Sequence, residues 1–179
     1  MDILIIYSTK NGVTGECAAM LADKLKERHN VTLASVNEGK LPAPKDFDIV
    51  FLGSSIRMGA VNKELKRYIR DNMSALKAKH CGVFLCCGFA DNFDEYCDIQ
   101  LLRELSPDMG FHYFGGELKP HKLKGLDKLI VKSVRNSIRT KNFENSQLDQ
   151  IALPEILPES IYRLAEKVKE IAVMESDNK

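Results

Sequence analysis

The chain has 179 residues, of which 44% are hydrophobic and 28% charged, with 26 basic side chains against 25 acidic ones. That length suits one domain with a real core, in a composition ordinary for a soluble globular protein. No apolar run reaches the roughly 18–20 residues of a membrane span, and no nucleic-acid partner is expected.

Met1-Asp2 runs straight into Ile3-Leu4-Ile5-Ile6 with no basic leader and no small-residue cleavage site. The stretch reads as a first strand and the expected location is cytoplasmic. Ile3–Tyr7 is nearly all apolar, as a strand buried on both faces should be. Residues 14–29 predict a helix, with Cys17, Met20, Leu21 and Leu25 inward and Lys24, Lys26 and Glu27 in water. Val31–Val36 alternates like a less buried strand, Pro42 and Pro44 mark a loop, and Asp48–Gly53 is the third strand. One helical stripe over 61–76 carries Val61, Leu65, Tyr68, Ile69, Met73 and Leu76. Cys81–Cys87 is the fourth strand, and Phe93–Leu105 predicts a helix stopped by Ser106-Pro107. Phe111–Gly115 is the fifth strand, and residues 158–173 close the chain as a helix. Strands alternating with helices predict an α/β doubly wound sheet of five parallel strands, ordered 2-1-3-4-5, in a single domain over 1–175. Residues 116–157 form an insertion after the fifth strand, its half at Asn142–Gln150 polar and loop-like.

The five cysteines (Cys17, Cys81, Cys86, Cys87, Cys97) are an odd number without a CxxC spacing. Neither a metal site nor a disulfide framework is expected; Cys81, Cys86 and Cys87, in or beside an apolar strand, read as small core residues.

The most informative stretch is Tyr7-Ser8-Thr9-Lys10-Asn11-Gly12-Val13-Thr14-Gly15, between the first strand and the first helix. A phosphate monoester carries roughly −1.5 to −2 charges and needs donors converging from one side. A tight turn before a helix N-terminus supplies backbone N–H groups, the positive dipole end and hydroxyls together. Gly12 lets the backbone turn and approach closely, and Thr9, Asn11 and Thr14 add side-chain donors. The alternative is a plain turn with a threonine N-cap. No G-x-G-x-x-G follows the first strand and no G-x-x-x-x-G-K-[ST] occurs, which argues against dinucleotide and nucleoside triphosphate sites.

Strand, hydroxyl-rich turn and helix in this order resemble the phosphate loop of the flavodoxin family, which implies FMN as cofactor. Asn11 stands where the family commonly has Thr, and Val13 where it has Asn. The resemblance implies two further loops around the flavin ring, Ser54-Ser55-Ile56-Arg57-Met58-Gly59 and Cys87-Gly88-Phe89-Ala90-Asp91, with Phe93 just beyond the second. No residue of 54–59 is aromatic, and Met58 stands where a stacking ring is common. Phe89 and Phe93 are expected either to stack on the flavin or to pack in the core. The run Gly53–Gly59 is similar to that of bacterial quinone-dependent protoporphyrinogen oxidases, a branch that also carries an insertion after the fifth strand. Arg57 is the residue expected to take part in the chemistry. It can favour the negative charge of a reduced flavin, pair with a tetrapyrrole carboxylate, or form a surface ion pair.

Residues 119–141 hold eight Lys or Arg and one acid, Asp127. Leu126, Leu129, Ile130, Val134 and Ile138 share one helical face, and Lys128, Lys132, Arg135 and Arg139 another. Such a helix lies on an anionic bilayer at the inner membrane face, docks on an acidic partner, or covers its own core. His121 reads as a proton carrier or a plain loop residue. Three functions follow: an oxidoreductase passing reducing equivalents from protoporphyrinogen, an anionic tetrapyrrole, through flavin to a quinone, as in heme biosynthesis; an electron-transfer shuttle serving a redox partner protein; and a flavin-free binding module.

Overall fold

The computed structural model describes residues 1–57, 59–88, 93–116 and 155–177. Five strands form one sheet: β1 (Asp2–Ser8), β2 (Asn30–Ser35), β3 (Ile49–Ser55), β4 (His80–Cys86) and β5 (Phe111–Tyr113). All neighbours pair in parallel and the order is β2-β1-β3-β4-β5, as the sequence predicts. Strand alternation sorts the apolar runs onto two faces. Ile3, Ile5, Ile49, Phe51, Phe84 and Cys86 enter one buried cluster. Leu4, Ile6, Val50, Leu52, Val83 and Leu85 enter the other. Each central strand therefore reads as a continuous hydrophobic run because both of its faces are covered.

The first face is covered by α1 (Val13–Leu25) and by the last helix, α6 (Pro158–Asp177), through Cys17, Leu21, Leu25, Ile161, Leu164 and Val168. Phe84 stacks on Phe114 there at 4.7 Å between ring centres. The second face is covered by α2 (Lys63–Asp71), α3 (Met73–Lys77) and α5 (Gln100–Leu105), through Leu65, Ile69, Leu76, Leu102 and Leu105. A short α4 (Phe93–Cys97) precedes α5.

Two expected helices are each divided. The 61–76 stripe breaks at Asn72, whose Nδ2 donates to the Tyr68 carbonyl at 2.9 Å while its backbone leaves helical geometry (φ −119°, ψ 13°). A side chain bonded back to its own helix competes with the next turn. The helix expected over Phe93–Leu105 breaks at Asp98–Ile99, where Ile99 turns extended (φ −55°, ψ 123°) and packs against the second cluster. The Pro42–Pro44 loop contains a 3-10 turn, Pro44–Asp46. The helix ending near Pro107 stops as expected, with Ser106 in left-handed geometry at φ 48°. Nearly all of the expected insertion, including 119–141, His121 and Asn142–Gln150, lies outside the described residues. Both its edges are fixed: Gly115 bridges Ile156 in antiparallel fashion, Gly116 N–H donates to the Glu155 carbonyl and Leu157 N–H to that of Phe114.

Candidate functional site

The chain crosses from one face of the sheet to the other between β1 and β3, since α1 packs on the first cluster and α2 on the second. Ligands of open α/β sheets bind beyond the carboxyl ends of the strands at such a point. Three strand ends lie side by side there, Ser8 of β1 against Ser54 of β3 and Ser55 against Cys86 of β4.

The first turn is built around Gly12, which takes φ 91° and stands as the N-cap of α1. A side chain there would be strained, so glycine fits the sharp entry into the helix. No side chain caps α1, so the turn has no threonine N-cap. Thr9 instead accepts from Gly12 N–H through Oγ1 at 3.0 Å, holding the turn from within. The first N–H groups of an α-helix have no partners inside the helix, and their dipole end is positive. Thr14 is 1% exposed and its Oγ1 has no hydrogen bond of ordinary geometry. The Cys86 thiol lies beside that hydroxyl and is a weak partner at best. A buried hydroxyl left unpaired costs roughly 1–3 kcal/mol. Its presence in the first turn of an uncapped helix is the unusual feature of the site. Lys10 is exposed, Asn11 half-buried, and Val13 buried in the first cluster.

Ser8 and Ser54 face one another in the register of β1 and β3. Both are fully buried and their hydroxyl oxygens are 3.3 Å apart. Ser54 Oγ also donates to the Ser55 carbonyl and accepts from Asn62 N–H at 3.2 Å. Asn62 in turn caps α2, accepting from Glu64 and Leu65 N–H through Oδ1. One serine thus ties the ends of two strands to the start of the helix on the far face. Sequence reasoning names both serines and misses Asn62 and the latch, because residues 46 positions apart meet only once the register is set.

The second turn closes on itself. Arg57 N–H donates to the Ala60 carbonyl and Ala60 N–H to that of Arg57, each at 3.0 Å, around Gly59 at φ 71°. Ile56 N–H is held by the Cys86 carbonyl at 2.9 Å, and the Arg57 side chain is exposed. Met58 lies outside the described residues.

At the third connection Cys87 is buried, with its N–H on the Gly115 carbonyl and its own carbonyl accepting from Tyr113 Oη at 3.1 Å. Gly116 passes so close to the Cys87 carbonyl that a Cβ would collide with it. Gly88 is half-buried, and the Phe93 ring lies tilted against Tyr113 at 5.6 Å between centres. Phe89, Ala90 and Asp91 lie outside the described residues. Tyr113, unremarked in the sequence, fixes the end of β4; its only sequence signal is an aromatic near the end of the fifth strand. Among the described residues no group of His, Cys, Asp and Glu is arranged to hold a metal ion.

Fold and site define a doubly wound α/β protein whose first helix opens, uncapped, at the switch point of the sheet. A family model described as "Flavodoxin domain" matches residues 4–146, and the chain belongs to that family. Proteins of this family bind flavin, usually FMN. Among curated proteins it is similar to the protoporphyrinogen IX dehydrogenase [quinone] of Escherichia coli K12 and that of E. coli O157:H7, each 32% identical over 79 residues. The match covers 44% of this chain and 44% of those relatives. Among solved structures it is similar to rubredoxin oxygen:oxidoreductase of Desulfovibrio gigas (TM-score 0.52, 14% identity, 78% of this chain and 35% of that one). It is likewise similar to two-electron reduced Megasphaera elsdenii flavodoxin (TM-score 0.50, 19% identity, 62% of this chain and 84% of that one). These structural likenesses concern the fold. No helix among the described residues is long and apolar enough to cross a membrane.

Proposed function

We propose that the turn over residues 8–14 holds the phosphate of FMN and that the chain is an FMN-dependent oxidoreductase. The observation that carries this reading is the buried, unpaired hydroxyl of Thr14 in the first turn of an uncapped helix. A doubly charged monoester supplies the acceptors that the open N–H groups and this hydroxyl lack. Ser8, Thr9, Lys10, Asn11, Gly12, Val13 and Thr14 would hold the phosphate end. Residues 54–59 and 87–91, with Phe93, would flank the ring. FMN, when bound, supplies two-electron redox chemistry; the protein contributes position and electrostatics. Arg57 is exposed on the second turn, whose backbone exchanges two bonds between Arg57 and Ala60. It would favour negative charge on the flavin or engage a substrate carboxylate.

The finer reading is oxidation of protoporphyrinogen coupled to a quinone. Its support is the partial identity with the E. coli dehydrogenases and the Gly53–Gly59 run. The test begins with flavin fluorescence: micromolar FMN should be quenched on mixing with apoprotein, and absence of quenching leaves only the flavin-free binding module. Anaerobic turnover with protoporphyrinogen and a menaquinone analogue follows, beside a chain lacking 119–141. Product formation by the full chain supports the enzyme, and loss of turnover in the shortened chain assigns the basic segment to substrate or membrane contact.

A second reading is an electron shuttle. The exposed acids Asp94, Glu95 and Asp98, on and just after α4 beside the third loop, favour it as a face for a basic redox partner. A shuttle would be reduced by a partner reductase and form no product from protoporphyrinogen.

A further inference from the structure

We propose that the outward face of α2 is a docking surface for an acidic partner protein. The helix reads Lys63-Glu64-Leu65-Lys66-Arg67-Tyr68-Ile69-Arg70-Asp71, and Leu65, Tyr68 and Ile69 are its buried residues. At about 3.6 residues per turn, Lys63, Lys66, Arg67 and Arg70 fall on one stripe directly opposite that buried side. Lys63, Arg67 and Arg70 are exposed and Lys66 is half-buried. With a rise of about 1.5 Å per residue, the stripe sets its cations along about 10 Å of surface.

Within the chain this stripe is unfavourable. Lys63 and Lys66, and again Arg67 and Arg70, are like charges three residues apart; Lys63 and Arg67, and Lys66 and Arg70, are like charges four apart. Such pairs destabilise a helix at these spacings. Lys63 also stands in the first turn, where the positive end of the helix dipole disfavours a cation. It pairs with its neighbour Glu64 at 3.5 Å, whereas Lys66, Arg67 and Arg70 form no ion pair among the described residues. The helices of the first face are arranged the other way. At the end of α1, Lys24 meets Glu27 at 3.0 Å and Lys26 meets Asp23 at 3.6 Å, and on α6 Lys169 meets Glu166 at 2.6 Å. The fold neutralises its cations there and leaves them open on α2, where carboxylates from another molecule relieve the repulsion.

A protein fits the stripe better than a bilayer or a nucleic acid. Binding in a membrane surface joins charge to buried apolar area. The exposed large hydrophobics among the described residues, Leu157 and Tyr162, stand at the start of α6 on the other side of the sheet. Glu64 and Asp71 share one flank of the stripe. A uniformly anionic surface meets those acids as well as the cations, whereas a protein surface of mixed sign matches both. The stripe begins beside the second turn, since Asn62, the N-cap of α2, donates its N–H to Ser54 at 3.2 Å. A docked partner is thereby set next to the turn that the proposed function places against the flavin ring. That consequence rests on the FMN reading; the docking does not.

The probe is a fluorescein-labelled glutamate-rich peptide titrated into the full chain at low salt. Binding is expected, and it should fade with added salt as the screening length falls to about 3 Å at 1 M. Lys66→Glu and Arg70→Glu should each weaken it roughly fivefold, the scale of an exposed charge reversed. Lys169→Glu, the same change of charge on α6, should leave it unaltered. Lys66→Glu turns two repulsive pairs, with Lys63 and Arg70, into attractive ones, so its Tm should equal or exceed that of wild type and a loss of binding cannot be a loss of fold. Absence of binding, or an equal loss in all three variants, would overturn the proposal. So would stripe-dependent binding to phosphatidylserine vesicles or duplex DNA that is tighter than binding to the peptide. Peptide binding by a chain that fails to quench FMN would overturn the flavin reading and leave the docking face standing; quenched FMN without peptide binding would do the reverse.

Discussion

The turns after β1 and β3 leave the sheet side by side, yet they treat hydrogen bonding in opposite ways. The first ends in an uncapped helix and keeps a hydroxyl that is buried and unpaired. The second exchanges two backbone bonds across Arg57 and Ala60 and is rooted by a serine bonded on three sides. A turn that satisfies itself is a rigid platform for side chains, whereas a turn that keeps donors unspent is a receptor for what supplies acceptors. On the function proposed above, binding falls to the first turn and tuning to the second.

The harshest way to break this contrast is to disturb the root of the second turn. Gly53 lies flat against the Phe84 ring, and a Cβ there would overlap it. Phe84 is held between this strand and Phe114, so it has little room to retreat. Gly53→Ala should lower unfolding stability by about 3 kcal/mol or more, at the upper end for overpacking, read by urea denaturation. Ser54→Ala comes next. It leaves Asn62 N–H without its acceptor and Ser8 without its partner, at a cost of roughly 1–3 kcal/mol. A Ser54→Ala protein as stable as wild type would mean that the second turn does not depend on its serine.

Thr14→Val sharpens the comparison because two readouts should move in opposite directions. Valine keeps the shape and the β-branch and removes the unpaired hydroxyl. The apoprotein should gain about 1 kcal/mol of stability while FMN affinity falls by roughly tenfold. Loss of stability together with unchanged affinity would place the phosphate elsewhere. Arg57→Ala should do the converse, leaving affinity nearly intact and shifting the flavin midpoint potential to more negative values, since a cation that favours the reduced anion is gone. If affinity collapses and the potential stays, the division of labour between the turns is wrong.

How much of this was legible in the sequence follows from how local each feature is. Gly12 among hydroxyls after an apolar strand can be read because the turn is made by neighbours in the chain. The sheet order follows from buried runs alternating with helical stripes, since each central strand feeds both clusters. The division of the second helix at Asn72 was hidden, because its apolar stripe continues across the break and only the side chain's bond to Tyr68 interrupts the backbone. The Ser54 latch and the Tyr113 hold on Cys87 were hidden for another reason. The Ser8–Ser54 contact joins residues 46 positions apart and the Tyr113–Cys87 bond residues 26 apart, so their meeting depends on strand register rather than on spacing. Reading Cys81, Cys86 and Cys87 as small core residues fits their burial, because a continuous apolar strand already marks both faces as covered.

The smallest predicted effect tests whether the contrast between the turns is one of hydrogen bonding rather than of titration. Neither turn contains a histidine, so pH dependence of stability near neutrality must come from elsewhere. On β5, His112 is held below its ordinary value of 6.5, first by burial and then by Lys167 and Arg163 on α6, against the opposing pull of the Met109 carbonyl its Nε2 faces at 2.9 Å. As pH falls below about 6.5 the unfolded chain takes up a proton that folded His112 resists. The unfolded state then binds more protons, so stability is complete above that value and is lost on acidification. His29 is lowered in the same direction by burial, the N-terminal ammonium and Arg28. His112→Gln should therefore reduce the fall in Tm between pH 7.5 and 5.5 without abolishing it, by no more than about 1 kcal/mol of stability at the acid end. Thr14→Val should carry its stability gain unchanged across the same range. A gain that shrinks with pH would mean that charge, and not an unspent hydroxyl, sets the first turn apart.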